Sequence, residues 1–287
     1  METISIIGAG TMGAGIAQVA ALHGHPVILY DVELTAIERG MLRVKSRLAR
    51  DVEKGERSAE EAEAALERIR AVVDTHTLGA ADWVIEAAPE DLETKRLIFR
   101  DLDELCAETT ILASNTSSLS ISALGGATQR PQRVVGMHFF NPAPVMPLVE
   151  VVRGDRTSDE TVTAAMDLAR RWGKTPVQAK DTPGFIVNRV ARPFYLEALK
   201  LLSDGIADVE TIDRIARAGG FKMGPFELLD MLGLDVDFAV AQSVYHAFFD
   251  DPRYHPHPIQ RRMVDAGMLG RKTGRGFYNY TPKPSGS

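Results

Sequence analysis

Residues 4–31 read ISIIGAGTMGAGIAQVAALHGHPVILYD, and the fold follows from this run. Ile4 to Ile7 has the length and aliphatic character of a strand, glycine recurs at positions 8, 10 and 13, and small and aliphatic residues then continue to Leu22. Gly24 ends that helical pattern, and Val27 to Tyr30 makes a second strand that finishes on Asp31. The run from Ile4 to Leu22 is uncharged and close to bilayer length. Its flanks argue against a targeting or spanning role, because Glu2 precedes it, no basic region does, and glycines interrupt it.

Strand, G-x-G-x-x-G turn, helix and a following strand that ends in an acid is the pattern of a dinucleotide site. One glycine makes the tight turn, one lets backbone approach a diphosphate, and one lets helix pack on strand, while the helix mouth offers free N–H groups. Gly8, Gly10 and Gly13 fill these positions, and Asp31 is placed to accept hydrogen bonds from ribose hydroxyls. A carboxylate there repels the 2′-phosphate of NADP, and Val32 follows it rather than an arginine, so NAD is the expected cofactor.

Outward from this core the pattern continues as α/β. Residues 34 to 70 are rich in Glu, Arg, Lys and Ala, break at Lys54-Gly55 and carry a Ser58-x-x-Glu61 capping box, which predicts a projecting helical hairpin. Strands are expected at Val72-Val73, Trp83 to Ala87, Thr110 to Ala113, Arg133 to Phe139, Leu148 to Val152 and Thr175 to Ala179, with helices at Leu92 to Leu105, Ile121 to Leu124 and Ser158 to Trp172. After Lys180 to Gly184 strands give way to helices, near 184–203, 209–217, 225–249 and 258–266. The reading is a Rossmann-like, mostly parallel sheet with a helical hairpin over 1–183, followed by an all-α domain over 184–287, with a frayed tail from Thr281.

The 287 residues carry 33 Lys plus Arg against 39 Asp plus Glu, a net charge of −6, with no block of like charge. That balance disfavours nucleic acid or an anionic membrane as partner. A single cysteine, Cys106, rules out an internal disulfide and fits a reducing, cytoplasmic compartment. No metal site is expected: His255 and His257 straddle Pro256 in a polar loop, where histidines are ordinarily surface residues.

Among seven histidines, His138 alone closes a strand at the sheet edge where open α/β folds bind ligands. Taken by itself it would more often be structural. Longer runs change that: SNTSSL (114–119), GMHFFNPAPVMPLVEV (136–151), DTPGFIVNR (181–189), MGPFELLDMLGLD (223–235) and GRKTGRGFYNY (270–280). At these residues the chain resembles the L-3-hydroxyacyl-CoA dehydrogenase family, and most of all its bacterial 3-hydroxybutyryl-CoA members, from about Ile4 to Tyr280.

The resemblance implies an NAD-dependent oxidoreductase acting on an acyl-CoA, in a two-domain homodimer. It matches the catalytic histidine to His138, its partner carboxylate to Glu150, and two substrate-contacting groups to Ser117 and Asn188. It assigns NAD contacts to Gly8, Gly10, Gly13, Asp31, Glu90 and Lys95, with Asn115 and Asn141 as further matches. It also places the phosphates of coenzyme A on the hairpin, where Arg50 and Lys54 lie four apart on one helical face. Two other functions stay open at this stage: a relative acting on a small hydroxy acid without CoA, of L-gulonate or carnitine type, and a non-catalytic NAD-binding protein such as the lens lambda-crystallins.

Overall fold

The strand–helix alternation closes into one eight-stranded sheet in the computed structural model, which describes residues 1–280. The tail expected to fray, 281–287, lies outside the described residues. Two compact units divide between Phe185 and Ile186. Phe185 falls with the first because its ring is buried in that unit's apolar core.

The sheet of the first unit contains β1 (Ile4–Ile7), β2 (Val27–Tyr30), β3 (Ile69–Val72), β4 (Trp83–Glu86), β5 (Ile111–Ser114), β6 (Val134–Phe139), β7 (Leu148–Arg153) and β8 (Thr175–Lys180). Their spatial order is β3-β2-β1-β4-β5-β6-β7-β8. Pairing is parallel from β3 through β6, turns antiparallel at β6–β7, and is parallel again at β7–β8. The order reverses between β1 and β4, so the crevice beyond the carboxyl ends of these strands is the expected ligand position.

Near-continuous apolar strands are what a sheet covered on both faces requires. Ile4, Ile6, Leu29 and Ile85 are fully buried in the layer shared with α1 (Thr11–Leu22), α2 (Leu34–Glu53), α3 (Ala59–Glu67) and α6 (Asp159–Arg171). On the opposite face Val84, Leu112 and Val134 pack under α4 (Leu92–Leu105) and α5 (Ile121–Gly125). The hairpin forms where its signals lie. Ser58 Oγ accepts the Glu61 N–H and the Glu61 carboxylate accepts the Ser58 N–H, so the capping box starts α3.

The second unit is helical, with α7 (Val187–Ser203), α8 (Val209–Ala218), α9 (Pro225–Leu232), α10 (Leu234–Ala247) and α11 (Pro258–Asp265) around Tyr195, Leu199, Phe226 and Leu229. The single helix expected over 225–249 is two. Gly233 adopts φ +96°, outside the helical region and costly for any residue with a Cβ, and the chain turns there between α9 and α10. The strand expected at Val72-Val73 begins earlier, at Ile69, because pairing with β2 selects its register. Among the described residues no helix is long and apolar enough to cross a membrane.

Two glycines of the turn have opposite surroundings. A Cβ on Gly13 would stand 1.8 Å from the Gly8 carbonyl oxygen, whereas one on Gly10 meets nothing within 4 Å. Gly13→Ala is therefore expected to cost about 3 kcal/mol by forcing α1 away from β1, and Gly10→Ala to leave the fold intact. Urea midpoints of the two variants check the contrast.

Candidate active site

At the carboxyl edge of the sheet, β1 enters the turn with the Gly8 N–H donating to Tyr30 O at 2.8 Å. Gly8 has φ +94° and packs against the Ala87 carbonyl. Gly10 caps α1 with no side chain accepting from the first-turn amides, and no acidic residue occupies that turn. The helix mouth thus presents free N–H donors to the open space beside Gly10. Asp31 closes β2, its carboxylate accepting the Ala9 N–H at 2.7 Å and the Glu33 N–H at 3.1 Å. Beside it lies a cleft of about 390 Å³ walled by Gly8, Asp31, Val32, Ala88, Ile98 and Leu102. Uncapped helix mouth, open Gly10, terminal carboxylate and apolar slot together fit a dinucleotide.

A buried polar network adjoins the turn. Lys95 is 1% exposed, and its ammonium donates to Glu86 Oε1 at 2.5 Å and Ala88 O at 3.1 Å, with Glu90 at 3.5 Å. Glu86 ends β4 fully buried and accepts from Ser114 Oγ at 2.6 Å on β5. Glu90 Oε1 accepts from Thr116 Oγ1 at 2.7 Å and from the Ser117 N–H at 2.8 Å. Lys95 is therefore held among carboxylates, and Glu90 holds the loop after β5. Glu86, Ser114 and Thr116 are absent from the sequence expectation. The only available signal was an acid closing a strand at the ligand edge, in IEAAPE.

His138 and Glu150 are cross-strand partners in the β6–β7 register. Nδ1 of His138 lies 2.7 Å from Glu150 Oε2, with the histidine 7% and the glutamate 1% exposed. The imidazole also lies against Phe140, ring centroids 4.4 Å apart and planes inclined by 49°. Asn115 accepts the Phe139 N–H at 2.9 Å through its side-chain carbonyl, which ties the β5 loop to the end of β6. Ser117 sits in that loop, while the cap of α5 is Ser120. Asn141 lines a separate cavity of about 130 Å³ with Gln18, Arg43 and Arg47. Arg50 is exposed near the end of α2, and Lys54, also exposed, follows that helix. Asn188 lies in the first turn of α7, in the second unit.

A mostly parallel sheet whose glycine turn, acidic strand end and buried His–Glu pair share one edge has the build of a nicotinamide-dependent oxidoreductase. Comparison with known proteins identifies the family. A model of the 3-hydroxyacyl-CoA dehydrogenase NAD binding domain matches residues 3–182, and one of the C-terminal domain matches residues 184–280. The chain belongs to the 3-hydroxyacyl-CoA dehydrogenase family, and its N-terminal unit is an NAD-binding domain. It is 50% identical over 281 residues to 3-hydroxyadipyl-CoA dehydrogenase of Escherichia coli, covering 98% of this chain but 59% of that protein. To 3-hydroxybutyryl-CoA dehydrogenase of Clostridioides difficile it is 42% identical, covering 96% of this chain and 99% of the relative. The crystal structure of (S)-3-hydroxybutyryl-CoA dehydrogenase from Ralstonia eutropha superposes with a TM-score of 0.92 at 44% identity, over 98% of this chain and 100% of that one.

The Glu86–Lys95 pair makes a stability prediction. Lys95→Met strands a buried carboxylate and is expected to cost about 3–5 kcal/mol, whereas the double variant Glu86→Gln/Lys95→Met recovers part of that loss. Urea unfolding of both variants measures the difference.

Proposed function

We propose that this protein interconverts (S)-3-hydroxyacyl-CoA, foremost 3-hydroxybutyryl-CoA, and 3-oxoacyl-CoA with NAD, using His138 as general base and Glu150 as its orienting partner. The observation that carries the reading is the 2.7 Å contact between buried His138 Nδ1 and Glu150 Oε2, at the same sheet edge as the glycine turn.

A carboxylate accepts hydrogen bonds and cannot donate while ionised, so Glu150 assigns the proton of a neutral His138 to Nδ1 and leaves a lone pair on Nε2. Nε2 takes the proton of the substrate's 3-hydroxyl, and Glu150 then stabilises the imidazolium. NAD held at the Gly8–Gly13 turn and Asp31 would supply the acceptor for the hydride of C3. Ser117 and Asn188 supply uncharged hydrogen-bonding groups for the 3-oxygen or the thioester carbonyl. Asp31 takes the ribose hydroxyls of NAD, the α1 mouth its diphosphate, and Glu90, Lys95, Asn115 and Asn141 complete the cofactor side. Arg50 and Lys54 meet phosphate of coenzyme A. The working unit is a homodimer, which would cover apolar side chains exposed on the helical unit such as Ile215, Phe221 and Val236.

The decisive assay follows loss of NADH absorbance with acetoacetyl-CoA, beside NADPH and beside free acetoacetate. Turnover with NADH and the thioester alone is the expected result, and 3-oxoadipyl-CoA as a further substrate reads acyl preference. NADH binding without turnover of any CoA ester would move the protein to the non-CoA or non-catalytic alternatives. His138→Ala is expected to lower kcat by roughly 10²–10⁴ while NADH still binds. A near-normal kcat would remove His138 from the role of base.

Arg50→Ala/Lys54→Ala is expected to raise KM for acetoacetyl-CoA about tenfold relative to KM for the truncated N-acetylcysteamine thioester. Equal changes on the two substrates would detach the hairpin from CoA recognition.

A further inference from the structure

Three non-glycine residues among those described have φ in the left-handed region: Phe185 at +48°, Phe249 at +53° and Asp250 at +63°. Phe249 and Asp250 are exposed where the chain leaves α10. Phe185 differs, because its ring is 3% exposed within the apolar layer under α4 and α5. A bulky residue keeps such a backbone only where its surroundings over-determine it, and residues of this kind gather at functional sites.

The chain is fastened on the approach to Phe185. Asp181 directly follows β8, and its carboxylate accepts from Ser120 Oγ at 2.8 Å, the Ile121 N–H at 3.0 Å and the Ser122 N–H at 2.7 Å. That clamp ties the segment to the start of α5, where the Ile121 side chain packs over Gly136 of β6 so closely that a Cβ there would stand 2.9 Å from Ile121 Cδ1. The Phe185 N–H then donates to Thr182 O at 2.9 Å and closes a tight turn.

The ring so placed meets the candidate base. Side chains alternate along a strand, and Met137 and Val151 are buried in the layer of α1, so His138 and Glu150 point to the other face with Val134 and Val152. Phe185 belongs to that face. Its ring centroid lies 6.0 Å from that of the His138 imidazole, with the planes at 57°, within the range of aromatic pairs. Phe140 is the imidazole's other aromatic neighbour.

Glu150 holds one atom of the imidazole, Nδ1. The torsion that turns a histidine ring about its Cβ–Cγ bond is broad, so a single contact at Nδ1 leaves the ring free to tilt, and the tilt moves Nε2. A neighbouring ring restrains that tilt when it is itself immobile. Phe185 meets the condition from both ends, its backbone fixed by the Thr182 turn and the Asp181 clamp and its ring by the core. We propose that Phe185 is a positioning residue, which fixes the tilt of the His138 imidazole and so aims Nε2 at the substrate hydroxyl. The proposal rests on the reading of His138 as general base and adds a second restraint to that of Glu150.

Phe185→Leu in the full-length protein tests it, because leucine keeps apolar bulk and removes the flat ring. The variant is expected to lower kcat with acetoacetyl-CoA by about ten- to a hundredfold, while KM for the thioester and Kd for NADH stay within about twofold. A ring that acts through the imidazole has nothing to act on once the imidazole is gone. Adding Phe185→Leu to His138→Ala is therefore expected to leave the residual kcat unchanged. Should the leucine variant fail to fold, Phe185→Gly, which suits a φ of +48°, takes its place in the same cycle. Near-normal kcat in a folded Phe185 variant, or an equal further loss in the His138→Ala background, would overturn the positioning role and leave His138 as base. Near-normal kcat for His138→Ala alone would remove the base and the positioning role together.

Discussion

The reversal of strand direction between β6 and β7 is the constraint on which the candidate site depends. Directly opposed residues of an antiparallel pair have Cβ atoms about 4.5–5.5 Å apart on one face of the sheet. His138 and Glu150, twelve positions apart in the chain, are such a pair, and their side chains meet at 2.7 Å within a nearly dry layer. A parallel seventh strand would need a long crossover connection and would bring a different register to β6. The loop over residues 140–147 makes the short return possible. Lys174, immediately before β8, holds that loop through the carbonyls of Ala143 and Met146. Register, loop and lysine act as one unit, so the imidazole orientation is built into the sheet rather than chosen by a flexible side chain.

A second electrostatic device holds the neighbouring loop. Charge buried at the end of β4 is tolerable because Glu86 receives an ammonium, a hydroxyl and a backbone amide, the last from Ala88 at 2.6 Å. Lys95 then stands near Glu90, whose carboxylate receives Thr116 Oγ1 and the Ser117 amide. The chain of contacts runs from the core of the sheet to the loop that carries Ser117. Asn115 completes the connection by accepting the Phe139 amide, one residue beyond His138. Ser117 and His138 are therefore positioned by the paired strands β5 and β6, whose carboxyl ends are further tied by the Asn115 side-chain carbonyl.

Much of the fold was legible because its signals are local. A glycine turn between an aliphatic strand and a small-residue helix, the Ser58–Glu61 capping box and the strand-to-helix change after Lys180 each depend on residues a few positions apart. Gly233 gives no local break signal, because the apolar pattern continues on both sides of it and a helix tolerates one glycine until the backbone demands φ +96°. The His138 strand end was legible for the same local reason, whereas its matching with Glu150 entered through family likeness. Glu86 and Ser114 were invisible to periodicity. An acid at a strand end reads the same whether it faces water or a lysine, and only the sheet order brings β4 beside β5. Nor does the sequence show that the Lys95 ammonium is also held by the carboxylates of Glu86 and Glu90.

The same distinction between charge counted and charge available applies to the hairpin. Arg43, Arg47, Arg50 and Lys54 recur at spacings of four, three and four, and so form one basic stripe along α2 and its cap. Arg47 is partly neutralised by Asp51 at 2.9 Å, and Lys54 stands 4.0 Å from Glu56. Exposed cations of this kind are screened over about 8–10 Å at ordinary salt. Lys174 instead sits partly out of water, its ammonium donating to the carbonyls of Ala143 and Met146. The stripe is legible because it is contiguous, whereas Arg57 and Lys174, 117 positions apart, line one cavity only when α1 and β8 are folded into the same unit.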